Sequence, residues 1–174
     1  QVVSSNPDSA LGIQNVLLVF TDVVKSTEMY ATMGDGPALQ LIRKHFNVLF
    51  KAFTKRGRIV KTMGDSVMAS FTSGRAAIEA VAEALRRVTE TVLYPNGEPL
   101  QIRVGIHRGA ALVIPVNGNN DFFGQTVNIA ARVEAAAKAC ECLITEDVLS
   151  FGPDSKDAFE EIVDYQCGEG DFLF

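Results

Sequence analysis

The sequence predicts an α+β domain, a ferredoxin-like βαββαβ core followed by a C-terminal strand and helix extension. Three observations lead there. Short runs rich in β-branched residues, such as Val16-Leu17-Leu18-Val19-Phe20-Thr21, recur between longer stretches whose apolar residues repeat at three- and four-residue steps. Both kinds of segment stop at Gly, Asp, Asn or Pro, and their alternation is that of helices laid against one face of a sheet. At 174 residues, 47% apolar and 21% charged, the chain has the size and composition of one soluble domain with a substantial core.

The elements follow in order. After the Val16–Thr21 strand come two helical stretches, Ser26 to Met33 and Gly36 to Lys55; in the second, Leu39, Ile42, Phe46, Leu49 and Phe53 form an apolar stripe. Lys55-Arg56-Gly57-Arg58 ends it. Ile59-Val60-Lys61 and Val67 to Phe71 then read as a hairpin around Met63-Gly64-Asp65-Ser66. Ser73 caps a helix from about Arg75 to Leu93, with Ala77, Ile78, Val81, Leu85 and Val88 on one face, and the loop 94–99 stops it. Leu100 to His107 reads as a strand, and Ala110 to Val116 as its hairpin partner. Phe123-Gly124 leads into a helix from about Thr126 to Lys138, and Leu143-Ile144 and Ile162-Val163 read as late, short strands.

Charge and cysteine usage exclude several classes. A net charge of −5 argues against a nucleic-acid surface, which concentrates Lys and Arg against phosphates. Cys140, Cys142 and Cys167 complete no Cys/His zinc site and read as reduced thiols. No apolar run has the length of a membrane span and no signal peptide is evident, so a cytoplasmic setting without membrane contact by this domain is expected. Residues 1–14 read as a polar linker, and 15–174 as the folded domain.

Two aspartates stand at strand ends: Asp22 closes the first strand, and Asp65 sits at the hairpin tip. If the first strand and the hairpin lie side by side, the two carboxylates share one end of the sheet and offer hard oxygen ligands to Mg²⁺ in phosphate chemistry. As ordinary turn formers they would bond nearby backbone instead.

Four segments carry a resemblance. Phe20-Thr21-Asp22-Val23-Val24-Lys25-Ser26-Thr27, Lys61-Thr62-Met63-Gly64-Asp65, Arg103-Val104-Gly105-Ile106-His107 and Asp121 to Arg132 are similar, in the same order, to the motifs of class III nucleotidyl cyclase catalytic domains. The resemblance spans about Val16 to Ile144. It implies that Asp22, Val23 and Asp65 hold two Mg²⁺ or Mn²⁺ ions, and that backbone amides from Val23, Val24, Lys25, Ser26 and Thr27 cradle phosphate oxygens. It further implies that Arg103 reaches the triphosphate, Asn128 orients the ribose and Arg132 stabilises the transition state. Asn128 and Arg132, four residues apart, share a helix face.

Lys61 and Asp121 match the residues that read adenine in relatives using ATP, where a carboxylate accepts from the exocyclic amine and a lysine donates to a ring nitrogen. Guanylyl cyclases carry Glu and often Cys there. The resemblance therefore implies an adenylyl cyclase making 3′,5′-cyclic AMP and pyrophosphate, with guanylyl cyclase or a weakly active dimerising module as the alternatives. It also implies a head-to-tail homodimer in which the metal aspartates and base-reading Lys61 meet Asn128 and Arg132 from the other chain. Separately, the absence of an initiator Met and the polar residues 1–14 lead us to expect a linker from an upstream regulatory region.

The chain departs from the family near its end. Gln166-Cys167-Gly168-Glu169-Gly170 stands where relatives carry a triphosphate lysine, and no Lys or Arg follows Lys156. Lys25, in the phosphate loop where relatives commonly have Gly, is the candidate substitute. His45 and His107 lack partner ligands and read as structural.

Overall fold

The computed structural model describes residues 12–166. In chain order the elements are β1 (Gly12–Val23), α1 (Ser26–Met33), α2 (Asp35–Phe53), β2 (Gly57–Met63), β3 (Ser66–Phe71), α3 (Gly74–Thr91), β4 (Ile102–Val116), β5 (Asn119–Phe123), α4 (Gln125–Ala136), β6 (Cys142–Ile144), α5 (Glu146–Leu149) and α6 (Pro153–Gln166). The strands run β2-β3-β1-β4-β5, each antiparallel to its neighbour, and β6 joins β4 in parallel. The four strands β2, β3, β1 and β4 give the expected ferredoxin-like order, with β1 central.

β1 is a continuous apolar run because both of its faces are covered. Leu17 and Val19 enter a core shared with Ile42, Leu49 and Phe53 of α2 and Ile78, Val81 and Leu85 of α3. Leu18 and Phe20 point the other way, into a second core with Met68, Val113, Phe122 and Ala130. Full burial of each such side chain contributes about 1.5–3 kcal/mol. Ser73 caps α3 as expected, its Oγ accepting from the Ala76 amide at 3.1 Å, an interaction worth about 1 kcal/mol.

Four expectations are corrected. Helices do not lie on one face alone: α4 packs against the second core, opposite α2 and α3. The segments 100–107 and 110–116 are not a hairpin but one strand, β4, which pairs with β1 from Gly12↔Val113 to Val23↔Ile102. Gly109, which suggested a turn, lies in extended register opposite Val16; a Cβ there would stand 2.6 Å from Thr126 Oγ1, so the glycine makes room for α4. The real turn is Asn117-Gly118, with φ of 51° and 79°, and it leads into β5, a strand the sequence reading did not include, which carries Asp121. Finally, Ile162-Val163 is helical. Ala158, Phe159 and Ile162 recur at helical spacing on α6 and pack on the first core.

The strand β1 begins at Gly12, inside the stretch expected to be linker, with Ile13, Gln14 and Asn15 exposed. Cys167 and the segment 167–170, on which the missing-lysine argument turns, lie outside the described residues.

Candidate active site

The acidic end of the sheet is organised around Asp22. Thr21 pairs with Val67, so Asp22 comes beside Ser66, whose hydroxyl donates to its Oδ1 at 2.8 Å. On the other side the β1–β4 ladder sets Asp22 directly opposite Arg103. The guanidinium donates to Oδ2 from Nη2 at 2.7 Å and from Nε at 3.2 Å. The same Nε lies 2.7 Å from Glu134 Oε1, an ion pair off the hydrogen-bond direction. Arg103 is thus shared between a strand carboxylate and a helix carboxylate.

Glu134 reaches this place because Gly105 lies beneath it: a Cβ on Gly105 would run into the Glu134 backbone. Burial, and then the charge of Asp22, push the Glu134 carboxyl up to about 7 against the pull of Arg103, with Asp65 adding to the rise.

Asp65 occupies the tight turn between β2 and β3, where Gly64 has φ of 62°, immediately before the Ser66 that holds Asp22. The fold brings the two aspartates to one end of adjacent strands. Asp65 Oδ2 is buried and has no hydrogen-bond partner. Buried carboxylate oxygens are rarely left so, and an orphaned hard oxygen next to a second carboxylate fits a divalent cation. Among the described residues no three Asp, Glu, His or Cys side chains converge as a ready-made ligand set.

The loop after β1 is partly committed. The Val24 amide donates to Gln101 O at 2.9 Å, which withdraws it from the expected phosphate cradle. Lys25 adopts φ of 57°, and no side chain caps α1, leaving its first turn open toward the Asp22 end. Lys25 is exposed, its Nζ 3.8 Å from Glu28.

Lys61 and Asp121 meet. Lys61 Nζ stands 2.7 Å from Asp121 Oδ2, and Asp121 Oδ1 accepts from the Phe122 amide at 2.8 Å. They lie on β2 and β5, opposite edges of the strand order, and come together because the β4–β5 hairpin curls back over the second core. Arg58 Nη2 seals the same approach by donating to Asn120 O at 3.1 Å. Lys61 is thereby tied to the strand that ends near Asp65 and, through Asp121, to the strand that leads into α4.

α4 is divided lengthwise. Thr126, Ala130 and Glu134 are buried toward the sheet, while Asn128 and Arg132 are exposed on the opposite side. Within one chain, these two point away from the sheet face that carries Asp22.

Sequence reasoning missed Glu134 and Ser66. A signal for Glu134 existed: it falls four and eight residues after Ala130 and Thr126, on the stripe that must face the sheet. His107 is structural, its Nδ1 2.8 Å from Thr145 Oγ1. His45 is fully buried with neither ring nitrogen bonded, and burial lowers its pKa to about 4 despite the opposing charge of Asp22.

A family described as the adenylate and guanylate cyclase catalytic domain matches residues 9–167 of this chain. The chain belongs to that family. Over 157 residues the cyclase domain is 32% identical to an adenylate cyclase of Mycosarcoma maydis, covering 79% of this chain and 6% of that protein. It is 27% identical to a receptor-type adenylate cyclase of Trypanosoma congolense, covering 75% of this chain and 22% of the relative. The chain thus spans a small part of these relatives. Among solved structures it resembles an adenylate cyclase from Trypanosoma brucei in its monomeric state, with a TM-score of 0.72, 23% identity, and coverage of 88% of this chain and 81% of that one. The catalytic core of a rhodopsin-guanylyl cyclase with converted specificity, in complex with ATPαS, gives 0.70 at 20% identity, covering 81% of this chain and 83% of that one. These likenesses establish the class III cyclase fold. Among the described residues of this cyclase domain, no helix is long and apolar enough to cross a membrane.

Proposed function

We propose that this domain is an adenylyl cyclase that converts ATP to 3′,5′-cyclic AMP and pyrophosphate at sites shared across a head-to-tail homodimer. The observation that carries the choice of ATP is the Lys61–Asp121 pair, 2.7 Å apart in one chain. The Asp121 carboxylate offers an acceptor to the 6-amino group of adenine and the Lys61 ammonium a donor to a ring nitrogen; guanine presents a carbonyl where adenine has the amine.

Asp22, Val23 and Asp65 would hold two Mg²⁺ or Mn²⁺ ions, the orphaned Asp65 Oδ2 supplying the free ligand oxygen. When bound, such ions make the ribose 3′-hydroxyl easier to deprotonate and offset triphosphate charge. The remaining work falls to side chains. Amides of Lys25, Ser26 and Thr27 bind phosphate oxygens. Arg103, released from Asp22, turns its guanidinium to the triphosphate. The ribose 3′-hydroxyl gives up its proton to solvent and its oxygen attacks the α-phosphorus in line; a P–O bond forms, and the bond to pyrophosphate breaks as the leaving group takes the electron pair. Asn128 holds the ribose and Arg132 the developing charge.

The need for two chains is supported by α4, whose Asn128 and Arg132 face away from Asp22 of their own chain. Leu112, Val116 and Phe123 also leave an exposed apolar stripe on the β4–β5 hairpin. Offering ATP and GTP separately with Mn²⁺, over a range of protein concentration, tests the reading. Cyclic AMP as the dominant product, with specific activity rising with concentration, supports it; cyclic GMP as the dominant product, or activity independent of concentration, contradicts it.

A further inference from the structure

The geometry points to a second anion site, for a nucleoside phosphate, at the end of the sheet opposite Asp22 and Asp65. A cavity of about 670 Å³ opens there between the start of β1, the start of β2 and the end of β3. Four cations reach it, Lys55, Arg56, Arg58 and Arg108, and among the described residues lining it there is no Asp or Glu. In a chain of net charge −5 this concentration runs against composition, and it gives the cavity a local field that draws anions.

The cations are not equivalent. Lys55 is held by Glu83 at 2.7 Å, and Arg56 by Glu83 at 3.0 Å and Glu79 at 3.3 Å, so their charge is largely spent inside the protein. Arg58 and Arg108 have no ion-pair partner among the described residues. They come from different strands, β2 and β4, and each lies over a phenylalanine ring: Arg58 5.8 Å from the centre of Phe122, Arg108 3.8 Å from that of Phe151. Both are half-buried, which orders the guanidinium planes before a ligand arrives. Two preordered guanidinium forks suit phosphate oxygens, and the outer face of the Arg108 guanidinium, its other face backed by Phe151 at 3.8 Å, suits a stacked base. The volume falls within the range of small-molecule sites, about 300–1,000 Å³.

The test is a residue-resolved titration of the ¹⁵N-labelled domain with ATP and, in parallel, with inorganic triphosphate, both without divalent metal. Saturable shifts of the Gly57, Ser70 and Thr72 amides with ATP are expected. Arg108→Ala should weaken them at least tenfold while the Gly64 and Asp65 responses stay as in the wild type. Thr72→Glu, which adds a negative charge at the exposed rim, should act in the same direction without touching either arginine. ATP shifts confined to the Gly64–Asp65 end, or shifts at Gly57, Ser70 and Thr72 that survive both variants, would overturn the site. Equal affinity for inorganic triphosphate would overturn its assignment to a nucleoside phosphate.

Discussion

Arg103 donates to Asp22 through two nitrogens, at 2.7 and 3.2 Å, across the central ladder of the sheet. A residue expected at the triphosphate is therefore the counterion of a residue expected at the metal. In the proposed mechanism, ligand binding exchanges this pair for metal–carboxylate and guanidinium–phosphate contacts, with Glu134, 2.7 Å from the same Nε, still holding Arg103 at the site.

Removing the guanidinium should separate the two roles. Arg103→Ala is expected to strengthen Mn²⁺ binding severalfold, because Asp22 no longer shares its charge, and to raise KM for ATP about tenfold, equivalent to about 1.4 kcal/mol. Calorimetric Mn²⁺ titration and steady-state kinetics read the two effects independently. Unchanged metal affinity would mean that the ion pair does not oppose metal binding.

The proposed base-reading role of Lys61 and Asp121 makes a specificity prediction. Lys61→Glu with Asp121→Cys, the residue types that guanylyl cyclases carry there, should lower the preference for ATP over GTP by at least about a hundredfold, since adenine loses its matched donor and acceptor while guanine gains an acceptor for its N1–H and 2-amino group. Competition between the two nucleotides, with both cyclic products quantified, provides the measurement.

Gly105 carries a packing prediction. Gly105→Ala places a methyl against the backbone of α4 at Glu134 and should cost about 1–3 kcal/mol in denaturant unfolding. Because α4 also carries Asn128 and Arg132, kcat should fall with it.

His45 makes stability depend on acid. Its folded pKa, about 4, lies below its ordinary value of 6.5, so the neutral form belongs to the folded state. Above pH 6.5 the residue is neutral in both states and its contribution is intact. As pH falls from 6.5 toward 4 the unfolded chain takes up a proton that the folded chain refuses. Each pH unit then removes about 1.4 kcal/mol, to a total of about 3 kcal/mol. Urea unfolding of His45→Leu across that window should show a correspondingly shallower loss.

Much of this was legible in the sequence because the signals were local. The apolar run ending at Asp22, the hairpin around Gly64-Asp65 and the four-residue spacing of Asn128 and Arg132 each placed a candidate residue on the element where it lies. What escaped depended on contacts between distant segments. Gly109 looked like a turn until α4 was seen packing above it. Ile162 read as strand because a two-residue apolar pair has no period; its partners Ala158 and Phe159 make the helix, and the packed core decides. The curl that carries β5 to β2, and so joins Lys61 to Asp121 across sixty residues, has no sequence signature of its own.

The shared site is the central claim, and mixing two inactive variants tests it most directly. Asp22→Ala and Arg132→Ala chains should each be inactive alone, to within about a hundredth of the wild-type rate. Mixed in equal amounts, random pairing gives half heterodimers with one intact site each, so cyclic AMP production should recover to about a quarter of the wild-type rate. A mixture that stays inactive while heterodimers form, or an Arg132→Ala chain that is active alone, would contradict the account.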